Sequence, residues 1–227
     1  MARPLPWSPS SLDTFKNCPR QYQEKYILKT MPPEPQGEAQ AFGEWVHKQF
    51  QERLERSTPL PAELAIHEDY MQLLRSKSDS FFCEQKIGLD RQARPCSWEH
   101  KRDIWFRGII DFNGLDRNKG VATIADYKTG KPHNKFAQLA VYAIWVFTMY
   151  PMINLINAQF YWTRDQSVTK KVWGRDEIDA LWMLVVPDLN QYAEAFKTDV
   201  WQARPSGLCN GWCPLTTCQH WKPKRVY

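Results

Sequence analysis

The 227-residue chain lacks internal repeats, low-complexity tracts and any evident linker, so it reads as neither a solenoid nor a disordered tether. It also lacks the Gly-rich phosphate-binding loop that would mark a nucleotide-driven motor. No signal peptide is recognisable, and structural disulfides of an oxidising compartment are therefore not expected. A charge excess of one sign is nearly missing too. Thirty basic against 25 acidic residues leave a formal net charge of +5, which permits nucleic-acid binding without requiring it. Residues 139–156 carry no charge over a length close to that of a membrane span, but Pro151 and Asn154 interrupt the run. It divides more naturally into a buried helix through Tyr150 and a strand from Ile153 to Trp162, so no membrane partner is expected.

What is present is a chain able to bury a sizeable core, with 43% hydrophobic residues and eleven Trp. From Ala39 to Arg56, Phe42, Trp45, Val46, Phe50 and Leu54 recur at helical steps, with Gly43 one turn before His47. Ser80 to Leu89 alternates as a strand that puts Phe81, Cys83, Gln85, Ile87 and Leu89 on one face and Glu84 on the other; Cys83 reads as a small buried hydrophobe. A second strand runs from Ile104 and ends at Asp111, a turn-rich stretch covers Asp116 to Gly120, and a third strand runs from Val121 to Lys128. A helix opening at Phe136, a hairpin turning over Thr163 to Ser167, and a long helix from Arg175 to Lys197 bent at Pro187 complete the pattern. Pro32 to Pro35 and Thr58 to Pro61 are the expected loops. The order predicts an α/β fold, a mixed β-sheet flanked by helices, preceded by N-terminal helices and followed by a C-terminal cysteine tail.

The chemistry concentrates in Gly108-Ile-Ile-Asp111 and Asp126-Tyr-Lys128. On a strand, Asp126 and Lys128 share a face, so the hairpin presents two acids and an ammonium. Carboxylate oxygens suit Mg²⁺ or Mn²⁺, which polarise a phosphoryl oxygen and acidify a bound water, and Lys128 would stabilise developing charge. An isolated Asp-x-Lys is usually a solvated turn, but here His47 offers a further ligand upstream, and Gln138 and Tyr142 lie one helical turn apart downstream. Glu84 is an auxiliary ligand if its face meets the site. Lys131, His133 and Lys135, and in the tail Lys222, Lys224 and Arg225, are available to phosphates.

In this order the segments resemble the RecB-type branch of the PD-(D/E)XK nuclease superfamily, including its cysteine-cluster members of the AddB and CRISPR-adaptation kind. The likeness runs from Ser8 to Tyr22, with Cys18-Pro-Arg20, through Gly43 to His47, Gly108 to Asp111, Asp126 to Gly130 and Gln138 to Tyr142, to the cysteines at the C-terminus. Ile110 stands where the superfamily name has proline, and Asp126 where Glu is frequent. The resemblance implies that His47, Asp111 and Asp126 bind the metal and that Lys128 is catalytic, with Gln138 and Tyr142 beside it. It implies one nuclease domain over 1–227: helical elaboration at 1–75, catalytic sheet at 76–175, helix and cysteine tail at 176–227.

Cys18, Cys209, Cys213 and Cys218 resemble the four ligands of a structural [4Fe–4S] cluster that pins the C-terminal tail to an N-terminal helix. The spacing Cys-x3-Cys-x4-Cys moves the middle ligand by one from the usual family pattern, so a zinc site from the same thiolates, or one recruiting His220, stays open. Cys96 has no assigned role. By analogy, the expected activity is a metal-dependent deoxyribonuclease acting as an exonuclease on single-stranded DNA ends, in the cytoplasm of a bacterial or phage-infected cell. It would be a phage, mobile-element or CRISPR-associated enzyme, or would serve a separate helicase or recombination partner. The alternatives are a non-catalytic DNA-binding adaptor with the same fold and cysteine site, and a structural zinc-ribbon protein.

Overall fold

The computed structural model describes residues 4–32, 37–99 and 103–224. Most of the expected Pro32–Pro35 loop, and Arg225, lie outside them. The chain forms two compact units, residues 37–185 and a second made of residues 1–36 with 186–227.

The larger unit is built on a five-stranded sheet: β1 (Ser80–Asp90), β2 (Ile104–Asp116), β3 (Val121–Lys128), β4 (Leu155–Trp162) and β5 (Ser167–Gly174), in that spatial order. Every neighbouring pair is antiparallel except β3 and β4, which run parallel. A parallel pair needs a crossover. Here the crossover contains a helix, Ala137–Met149, whose residues Leu139 to Phe147 are all buried. A helix apolar on every side belongs in a core, which explains the uncharged run without a membrane. Among the described residues no helix is long and apolar enough to cross one.

Two earlier helices, Glu38–Arg56 and Glu68–Ser76, supply Val46, Phe50, Leu54, Met71 and Leu74 to a core completed by Cys83, Phe112, Ala125, Tyr127 and Tyr161 from the sheet. Cys83 is the buried apolar thiol its alternation implied, its pKa pushed up to about 12 by burial. Phe42, on the same helical stripe, is instead half exposed.

Two elements differ from expectation. Asp111 does not end its strand, because β2 continues for five residues: Asn113 is fully buried and donates to Gln85 Oε1 at 2.8 Å, and a Cβ on Gly114 would stand 2.0 Å from Ser78 Oγ. The turn waits for Arg117–Gly120, where Gly120 takes φ +66°. The long C-terminal helix is broken rather than bent. Arg175–Glu177 is a 3₁₀ turn, helices span Ile178–Met183 and Val186–Thr198, and Pro187 falls in the first turn of the last, where its missing N–H costs nothing.

In the smaller unit, helix Pro9–Asn17 is capped reciprocally by Ser8 and Ser11 and starts with Pro9. Phe15 meets Tyr22 and Tyr192 edge-on, Tyr22 stacks on Trp201, and the Tyr22 and Tyr192 hydroxyls lie 2.6 Å apart. Aromatic packing thus joins segments about 170 residues apart in sequence.

Candidate active site

The antiparallel ladder between β2 and β3 stops at Phe112↔Ala125. One more step would pair Asp111 with Asp126; instead the strands part there, and Asp111 Oδ2 accepts the Tyr127 backbone N–H at 2.7 Å. Both acids are buried, 6% and 2% exposed, at the point where the sheet opens. Burial raises the pKa of each. For Asp111 the neighbouring Asp126 charge adds to the rise, while His47 and the Tyr127 amide oppose it; for Asp126 the Lys128 ammonium opposes it first and His47 second.

On one side of the opening stands His47. Its Nε2 lies 3.1 Å from the Tyr127 carbonyl, an acceptor only, so Nε2 carries a proton and Nδ1 faces the acids. Nδ1 is 3.3 Å from Glu84 Oε1 and 3.5 Å from Asp111 Oδ2. Burial alone would lower the imidazole pKa, but the Glu84 hydrogen bond and the charges of Asp111, Glu84 and Asp126 lift it to about 9. Glu84 reaches this position through a left-handed backbone (φ +46°) opposite Asp111 in the β1–β2 register, between the paired residues Cys83 and Gln85. A non-glycine residue in that region is strained, and strain of this kind collects at functional sites.

Across the opening, Lys128 Nζ lies 2.6 Å from Asp126 Oδ2 and donates to Gln138 Oε1 at 3.2 Å. The Gln138 amide donates to Asp126 Oδ1 at 2.5 Å and to the Tyr142 hydroxyl at 3.0 Å. One side-chain amide therefore holds acid, ammonium and phenol together. Gly108 makes room for this: a Cβ there would stand 2.7 Å from Tyr142 Cε1.

Among the described residues, the group of His, Cys, Asp or Glu whose ligand atoms all fall within 4.8 Å of one another is His47, Glu84 and Asp111. An imidazole nitrogen with converging carboxylates suits a hard divalent cation, which would also relieve the repulsion between the buried acids. The fit is good. Glu84, only an auxiliary candidate in the sequence, stands in this trio, whereas Asp126 is held by Lys128 and Gln138. The sequence reading did not foresee the Tyr127 backbone, whose N–H and C=O orient Asp111 and His47. Its position between two candidate site residues of a strand was the available signal.

A profile of the PD-(D/E)XK nuclease superfamily matches residues 6–218. The chain belongs to this superfamily. PD-(D/E)XK nucleases use divalent metals and act on DNA, and the trio above is a candidate site for such a metal. A crystal structure from Eubacterium rectale, provisionally named an exonuclease, is 13% identical, with a TM-score of 0.52 over 98% of this chain and 89% of its own. That likeness supports the fold of this PD-(D/E)XK protein, a mixed sheet flanked by helices. A second solved structure, of the protein SSO0001, is 11% identical over 96% of this chain and 88% of its own, at a TM-score of 0.45. No curated protein matches the chain.

The remaining candidates are dispersed. His133 packs edge-on against Phe160 and Trp162, at 5.2 and 4.9 Å, while Lys131 and Lys135 are exposed. Lys224 sits 4.2 Å over the Trp212 ring and Lys222 is exposed. In the smaller unit Cys18, Cys209, Cys213, Cys218 and His220 line one pocket, and none of the six cysteines of the chain is in a disulfide. Burial raises the Cys213 pKa, as do its neighbours Cys18, Cys209 and Cys218, while the Ser206 N–H reaches Cys209 Sγ at 3.5 Å.

Proposed function

We propose that this PD-(D/E)XK protein is a metal-dependent deoxyribonuclease that removes nucleotides from single-stranded DNA ends, and that it lies in the RecB-like, cysteine-cluster branch. The observation that carries the reading is the pair of buried acids where β2 and β3 part, with His47 and Glu84 on one side and Lys128 and Gln138 on the other. His47, Glu84 and Asp111 would hold Mg²⁺ or Mn²⁺, with Asp126 completing the set. Bound there, the metal supplies Lewis acidity to a phosphoryl oxygen and acidifies a water. Tyr127 locks the His47 tautomer, Gln138 orients Lys128, and Lys128 delivers positive charge to the reacting phosphate. Burial keeps bulk water from screening these charges.

In this reading 1–227 acts as one nuclease in the cytoplasm of a bacterial or phage-infected cell, alongside a separate helicase or recombination partner. Cys18, Cys209, Cys213 and Cys218 would hold a [4Fe–4S] cluster. Their shared pocket supports this, as does the Ser206 N–H directed at a sulfur.

The test is digestion of end-labelled linear and closed-circular single-stranded DNA with Mg²⁺, Mn²⁺ or chelator, comparing wild type with Asp126→Ala. Cleavage of the linear form alone, lost in the variant with its fold intact, is expected. Cutting of circles would make it an endonuclease, and retained activity in Asp126→Ala would remove the site assignment. Iron and labile sulfide in the purified protein, lost in Cys18→Ser, are expected; stoichiometric zinc would replace the cluster by a zinc staple.

A further inference from the structure

The β1–β2 ladder carries a second set of side chains that the cleavage chemistry does not use. Lys86 pairs across the strands with Ile109, and Gly88 with Arg107, in the same register that brings Glu84 opposite Asp111. Phe106, Gly108 and Ile110 are buried, Gly108 against Tyr142. The alternate residues Arg107 and Ile109 therefore face away from that core, half exposed and 36% exposed, and Lys86 is exposed beside them. Trp98 lies over this surface. Its ring has Lys86 Nζ at 5.9 Å and Arg107 Cζ at 5.8 Å from its centre, and its carbonyl accepts the Arg107 Nε–H at 3.2 Å.

Two cations are thus gathered by one half-buried indole on a strand face that leads, four residues along β2, to Asp111. At about 3.3 Å per residue that is about 13 Å, within reach of the nucleotides next to a phosphate in the site. Free lysine and arginine side chains lose conformational entropy when they clamp a phosphate; here the indole and its carbonyl already hold them in place. The apolar Ile109, directly across from Lys86 and between Arg107 and Asp111 along β2, offers a base something to lie on, while the cations track the backbone.

We propose that Trp98, Lys86 and Arg107 form an entry track for single-stranded DNA, in which Lys86 and Arg107 each bind a backbone phosphate and Trp98 positions them. This rests on the nuclease reading for its direction toward the acids, but its binding test does not need cleavage.

The experiment measures binding of fluorescein-labelled oligothymidylate by the full-length protein in an Asp126→Ala background, as a function of salt, with and without Lys86→Ala/Arg107→Ala. Two lost single-strand phosphate contacts should reduce the slope of log affinity against log salt by about 1.4. Trp98→Ala should weaken binding while Trp98→Phe largely restores it. In wild-type background the double variant should raise KM for a long oligonucleotide and leave kcat, and the cleavage of a dinucleotide, unchanged. An unchanged salt slope in the double variant overturns the track. A slope that falls for duplex but not for single strands overturns the choice of substrate. If the wild-type protein cleaves nothing and the slope still falls, the track stands and the nuclease reading fails.

Discussion

Asp111 accepts a hydrogen bond from the backbone of Tyr127, 16 residues away, through the oxygen that also faces His47. The contact sits one step beyond the last paired residues of β2 and β3, so a single bond both closes the ladder and aims the acid. Removing the charge separates its electrostatic role from its structural one.

Asp111→Asn keeps an acceptor for the Tyr127 amide but deletes a buried charge that faces Asp126 and Glu84. In chelator its Tm should be no lower than wild type. Saturating Mn²⁺ should raise the wild-type Tm by several degrees, as expected when a ligand at about 100 times its Kd adds roughly 2.7 kcal/mol, and leave the variant unmoved. A metal-induced shift that survives in Asp111→Asn would take Asp111 out of the ligand set.

Gln138 touches Asp126, Lys128 and Tyr142 at once, which makes it a positioning residue. Gln138→Ala should slow single-turnover cleavage about 10- to 100-fold, the usual loss for a residue that orients a metal site, with KM for DNA little changed. Equal loss in KM would instead place Gln138 on the substrate.

Gly108→Ala forces a methyl to 2.7 Å from Tyr142 Cε1 and 2.8 Å from Phe106 Cζ. Overpacking of this kind costs about 1–3 kcal/mol, read as a lower urea midpoint at unchanged m-value. Unchanged stability would show that the Tyr142 ring can withdraw, and activity should then fall because Gln138 loses its phenol partner.

Arg53 donates to Glu68 from Nε at 2.8 and 3.0 Å, and Gln72 donates at 2.9 Å. The Arg53 hydrogen bond, aided by Gln72, holds the Glu68 carboxyl down to about 2 from an ordinary 4.5. A carboxylate with a depressed folded pKa adds stability that is complete above its unfolded value and lost as the pH falls toward the folded one. Glu68→Gln should therefore lose about 1 kcal/mol at neutral pH and show a flatter stability curve between 4.5 and 2. Parallel curves for the two proteins would exclude Glu68 from the acid response.

Period-two alternation placed Asp126 and Lys128 on one face, turn chemistry divided β2 from β3, and the apolar stripe of the Glu38–Arg56 helix carried His47 toward the sheet. These readings are local, because a side chain's direction on a strand or helix follows from backbone geometry alone. Pattern also revealed Cys83 as core, since burial of a small thiol needs only the right parity.

Tertiary structure decided the rest. Whether β2 ended at Asp111 depended on Asn113 finding Gln85 across the strands, a partner 28 residues away. Glu84 joined His47 and Asp111 in the candidate metal site because its backbone turned left-handed, which no propensity for Glu would suggest. Trp98, Lys86 and Arg107 carry no motif; the β1–β2 register sets Lys86 beside Arg107, and the segment between the strands returns Trp98 onto both. Sequence thus determined on which element each candidate residue lies and which face of it is polar, since those are matters of period and polarity. The place where two strands stop pairing, and hence which groups converge on the candidate metal site, was set by contacts between distant segments, whose energies no local stretch contains.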